Sequence, residues 1–178
     1  MRRAFPIAAC VALCAVAVAL PARVRAAEPA GGCTSFEWPL EVERGWLGAA
    51  KLETLQSGAT LPAIPQQAFS VALNHSASAA LPVSPSGKPH GEARDTYAGT
   101  VAIAEVAEPG LYQVTLSGPG WIDVIQGGAP LAARAHTSSA DCPNLRKSVR
   151  FQLAKGRAIL ELSSVPGTEI AFAIRRAD

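Results

Sequence analysis

Aromatic side chains are scarce in this chain, 10 among 178 residues, and charged residues make up only 17% of it. With 49% apolar content, so little charge excludes a disordered acidic or basic tail, and the composition fits neither a collagen-like repeat nor a polytopic membrane protein. A true excess of basic charge is also missing. The formal net charge is +2, but Arg2, Arg3, Arg23 and Arg25 lie in the first 25 positions and every acid lies beyond them. The rest of the chain holds 12 basic residues against 14 acidic ones, which removes the general case for a nucleic-acid binder. No Gly-x-Ser-x-Gly elbow occurs, and histidine appears three times, so hydrolase chemistry has little to build on.

Residues 1–26 have the grammar of a secretory signal. Arg2 and Arg3 form the positive start, Ile7 to Leu20 the apolar stretch, and Val24-Arg25-Ala26 a cleavage site after Pro21. An uncleaved anchor is the alternative, but the run from Ala4 to Leu20 has 17 residues and contains Pro6, the short limit for a spanning helix. Cys10 and Cys14 leave with the signal, so the mature chain keeps Cys33 and Cys142. An even pair in an exported protein reads as a disulfide. Closing a loop of about a hundred residues contributes up to about 4–5 kcal/mol in the chain-entropy model. The expected location is periplasmic or secreted, with no membrane span once the signal is gone.

After a linker at residues 27–32, Pro39 to Leu47 is the only helical stretch expected: Pro39 suits a first helical position, Glu41 and Glu43 favour the N-terminal dipole, and Leu40 and Leu47 share a face. From Leu52 onward the pattern is short alternating runs between Gly/Pro turns. Strands are expected at Phe69 to Leu73, Tyr97 to Val106, Leu111 to Leu116, Trp121 to Ile125, Leu131 to Ala135, Val149 to Leu153, Ile159 to Leu162 and Ile170 to Ile174. Asn74-His75-Ser76 reads as a turn, Leu81 to Pro89 as a proline-rich surface loop, and the segment holding His136 and Cys142 as a polar loop. The whole describes an all-β chain: a single antiparallel β-sandwich domain over residues 33–178, jelly-roll-like, with one short N-terminal helix; a barrel is the structural alternative.

Gly110-Leu111-Tyr112-Gln113-Val114, Trp121-Ile122-Asp123-Val124, Phe151-Gln152-Leu153-Ala154-Lys155-Gly156 and Ile170 to Ile174 together resemble the bacterial pre-peptidase C-terminal domain over roughly residues 96–176. The resemblance implies a secreted, non-catalytic β-sandwich that accompanies proteases and helps in targeting or substrate contact, although no protease domain is attached here.

Two constellations carry chemistry on paper. His90-Gly91-Glu92 with the distant His136 has the composition of a non-haem iron facial triad, which makes a small iron-dependent oxygenase the alternative function. Against it, His90 and Glu92 lie in a Pro/Gly-rich stretch that holds ligand rotamers poorly. Asp123 sits between Ile122 and Val124, and a carboxylate among apolar neighbours needs a partner if buried; Arg134, Lys147 and Arg150 are the cations at hand. The basic run Arg146-Lys147-Ser148-Val149-Arg150 splits by strand alternation, with Arg146, Ser148 and Arg150 on one face and Lys147, Val149 and Phe151 on the other. Trp121, Asp123, Arg146, Lys147 and Arg150 are therefore the candidate binding residues. The reading is a non-catalytic binding or structural module of the bacterial cell envelope, without cofactor, recognising a protein or glycan.

Overall fold

The computed structural model describes residues 31–87 and 95–177. A 3-10 turn at Cys33–Ser35 and a helix, α1 (Glu41–Leu47), precede the strands. These are β1 (Glu53–Gln56), β2 (Ala59–Ala63), β3 (Phe69–Ala72), β4 (Asn74–His75), β5 (Tyr97–Val106), β6 (Gly110–Leu116), β7 (Trp121–Gln126), β8 (Ala129–Pro130), β9 (Ala133–Ser138), β10 (Lys147–Leu153), β11 (Gly156–Val165) and β12 (Glu169–Arg176). They form two sheets, one in the order β1-β3-β12-β6-β10-β9 and the other β2-β5-β11-β7-β8, with β4 alongside β5. The expected all-β sandwich is what folds.

Alternation decides which side chains the two sheets share. In the first sheet Val114 lies opposite Val149 on one side and Ile174 on the other, while Phe151 lies opposite Tyr112 and Phe172 opposite Leu116. In the second, Leu160 lies between Val124 and Val101, and Leu162 opposite Ile122. All of these are buried in one cluster between the sheets, each worth about 1.5–3 kcal/mol of transfer free energy. Gly127 and Gly128, both at positive φ, form the two-residue turn from β7 to β8, the geometry that a type I′ hairpin requires.

Each sheet is antiparallel except at one edge, where β1 runs parallel to β3 and β2 parallel to β5. β1 and β2 follow one another in the chain yet belong to different sheets, so residues 53–63 wrap that side of the sandwich. Three local expectations change. Helix α1 begins at Glu41, with Leu40 as its N-cap, rather than at Pro39. Asn74 and His75 pair with Ala98 and Tyr97 instead of turning. The strand expected at Leu131 to Ala135 is β9, shifted to Ala133–Ser138 with its register bulged against β10; it takes His136 out of the polar loop and into a strand.

The outward face of the first sheet is covered. Trp38, Leu40 and Leu47 pack with Leu145, Cys142 and Ala173 in a second buried cluster, so Leu40 and Leu47 do share a face. Cys33 and Cys142 are bonded, with α-carbons 4.5 Å apart, inside the range a disulfide spans. The bond ties the covering segment to the loop before β10. Among the described residues, no helix is long and apolar enough to cross a membrane.

Candidate functional site

The candidate site lies where the two sheets end unequally. The first sheet finishes with the six-residue β9 and the second with the two-residue β8. Register places His136 opposite Val149 and Ser138 opposite Lys147, so both project toward the side on which the other sheet should pack. That sheet is too short to reach them, and both remain exposed. The mismatch leaves an open cavity of about 310 Å³ with Ile122, Leu131, Ala133, Val149 and Phe151 as apolar walls. Ser86, Trp121, Asp123, His136, Ser138 and Lys147 supply its polar lining.

Asp123 and Trp121 reach this cavity from the outward side of β7. Asp123 is buried, and its partner is not one of the expected cations. Its Oδ2 accepts the Ser86 N–H at 3.1 Å and its Oδ1 accepts the Ser86 hydroxyl. The Ser86 Oγ in turn accepts the Trp121 indole N–H at 2.9 Å. Residues 81–87 of the proline-rich segment therefore fold over this face as a clasp. Gly87 completes it, because a Cβ there would lie 2.2 Å from Trp121 Cδ2. A sequence scan for opposite charges misses Ser86, which carries no charge and stands 37 residues away.

Beneath the same loop, Glu161 lies directly across from Asp123 in the register. It is fully buried; Oε2 accepts the Val83 N–H at 3.4 Å, and Oε1 has no hydrogen-bond partner. Burial raises its pKa above the ordinary carboxylate range; the Val83 N–H opposes that shift and the neighbouring Asp123 adds to it.

Lys147 is half-buried. Its Nζ donates to the Gly120 carbonyl at 2.9 Å and sits 5.0 Å from the centre of the Trp121 ring. Burial, and then the adjacent Arg146, pull its pKa below the usual lysine value. Among the described residues, no carboxylate forms an ion pair with it.

The five candidate binding residues thus separate. Trp121, Asp123 and Lys147 meet at the cavity. Arg150 projects to the opposite face of β10, where its guanidinium stacks 4.2 Å from the centre of the Trp38 ring and its Nε donates to Gln113 Oε1 at 3.2 Å. Arg146, just before β10, does not line the cavity, so the basic run is not one patch. Of the iron-ligand candidates, His136 lines the cavity, whereas His90 and Glu92 lie outside the described residues. Among the described residues, no group of three His, Cys, Asp or Glu side chains is placed to hold a metal. Compared with known protein families, curated proteins and solved structures, the chain matches none.

Proposed function

We propose that this protein is an exported, non-catalytic β-sandwich that binds a ligand in the periplasm or outside the cell, with the cavity between β7 and β9/β10 as its binding site. The observation that carries the reading is the unequal ending of the sheets, which leaves inward-projecting His136 and Ser138 uncovered over apolar walls. Concave, largely apolar sites with a few converging polar groups are where small ligands bind. A binding role fits the polar groups better than acid–base work does, since both oxygens of Asp123 are already occupied by Ser86. The bonded cysteines favour an oxidising compartment, the signal-like residues 1–26 point the same way, and the resemblance to pre-peptidase C-terminal domains agrees with a binding module.

The test is to express the full chain in a bacterium, recover the exported fraction, and measure intact mass and ligand-induced shifts of the Trp121 indole N–H resonance. The expected product starts at or near Ala27, has no free thiol, and shows saturable shifts with members of a small-molecule library. A product retaining Met1 to Ala26, or turnover of a bound compound, would overturn the reading.

A further inference from the structure

The polar groups of the cavity differ in how far their hydrogen-bonding capacity is used within the protein. Three of them are closed among themselves. The Ser86 backbone and hydroxyl occupy Asp123, and the Trp121 N–H occupies Ser86 Oγ. Lys147 is not closed. An ammonium has three N–H donors and no acceptor; one goes to Gly120 O, and the charge is met by the Trp121 ring face rather than by a carboxylate. Ser138 lies beside it in the register, and His136 two residues further along the same face; their side chains have no hydrogen-bond partner among the described residues. The spare polar capacity is therefore concentrated at one cationic corner. The rest of the lining is hydrocarbon, from Ile122, Leu131, Val149 and Phe151.

We infer that the cavity takes a compact organic anion, a carboxylate carried on an apolar ring or branched body. The carboxylate would accept from Lys147 and Ser138, and the body would lie against the apolar walls. Charge-assisted hydrogen bonds of this kind are stronger than neutral ones, and a half-desolvated lysine gains more from an anion than an exposed one does. Size narrows the class further. At 310 Å³ the cavity is at the lower end of the roughly 300–1,000 Å³ typical of small-molecule sites. That holds about ten waters' worth of liquid volume, enough to seat a single ring.

This inference rests on the cavity being a binding site, and the experiment separates the two claims. The exported, oxidised protein, labelled with nitrogen-15, is titrated with cyclohexanecarboxylate and, separately, with its neutral amide. The acid is expected to shift the Trp121 indole N–H saturably, with a Kd of about 1 mM or tighter; the amide should bind at least about ten-fold more weakly. Lys147→Met, which keeps the stem and removes the charge, should bring the acid down to the level of the amide. If that variant fails to fold, the acid-to-amide ratio of the unaltered protein decides alone. Equal binding of acid and amide would overturn the anion assignment and leave the cavity as a site. Shifts confined to Trp38 or Trp46, or no binding of either compound up to about 10 mM, would overturn both.

Discussion

Both outward faces of this sandwich bury a glutamate where a covering segment meets the sheet, and the two are given different partners. On the first sheet, Glu43 of α1 is fully buried. Its Oε1 accepts from Arg175 Nε at 2.7 Å and from the Gln113 amide, whose oxygen is held by Arg150. That network is cation-rich, and the segment over it is stapled by a disulfide. On the second sheet, Glu161 is equally buried but faces Asp123, and its cover is held by Ser86 and Val83. One face sets its acid against cations, although Oε2 of Glu43, like Oε1 of Glu161, has no hydrogen-bond partner. The other holds two acids side by side, and one of them, Asp123, also lines the open cavity where binding is proposed. Structure is concentrated where charge is neutralised, and the candidate site where it is not.

The contrast can be broken at four points. Replacing Cys33 and Cys142 with alanine should have the largest effect, about 4–5 kcal/mol lost in urea unfolding by the chain-entropy model. Hydrogen exchange should then rise first in α1 and leave β7 and β11 protected. Next, Arg175→Met leaves the buried Glu43 carboxylate with the neutral Gln113 amide but without this cation, and removing one partner of a buried pair destabilises by about 3 kcal/mol or more. Glu161→Gln should act in the other direction. Because its pKa is raised in the folded protein, folding takes up a proton between the ordinary carboxylate range and the raised value. Stability therefore falls as pH rises through that window, and the deficit remains above it. The glutamine variant should be more stable at neutral pH by about 1–2 kcal/mol and lack that slope. Acid and neutral urea melts of both proteins would show it, and a variant less stable at neutral pH would refute the account. Smallest is Gly87→Ala. Its methyl collides with the Trp121 ring, so the ring should swing away from Ser86, with about 0.5–1.5 kcal/mol lost and altered tryptophan emission.

The strands that were legible in the sequence are the ones buried on one face. Val114, Phe151, Leu160 and Phe172 sit in clear alternation with polar or small residues, so β6, β10, β11 and β12 announce themselves. The same alternation correctly sends Lys147 and Arg150 to opposite faces of β10. β1 and β2 carry no such signal: they are exposed edge strands paired parallel to distant partners, and Pro62 within β2 argues against a strand except at an edge. β9 is mostly exposed, which hides its strand character and with it the position of His136. The cavity was not legible at all, because it comes from a difference in length between β8 and β9, two strands that belong to different sheets. Trp121, Asp123 and Lys147 were legible as individual residues; the clasp that organises the first two was not, because Ser86 is one small polar residue in a loop.

The strand order has a consequence for a chain that emerges from a ribosome or a translocation pore with its N-terminus first. β6 has only β12 and β10 as neighbours, while β5 and β7 are joined through β11. The strands that join each sheet's centre are thus β10, β11 and β12, between Lys147 and Arg176. Until these have emerged, β6 has no partner and β7 pairs only with the two-residue β8, while Cys33 and Cys142 are already available for oxidation. Apart from that β7–β8 pair, only the edge pairs β1–β3, β2–β5 and β4–β5 can form earlier. The sandwich must wait for β10 to β12 and then close its long-range pairings together, the slow, high-contact-order regime in which transiently open strand edges are exposed to aggregation.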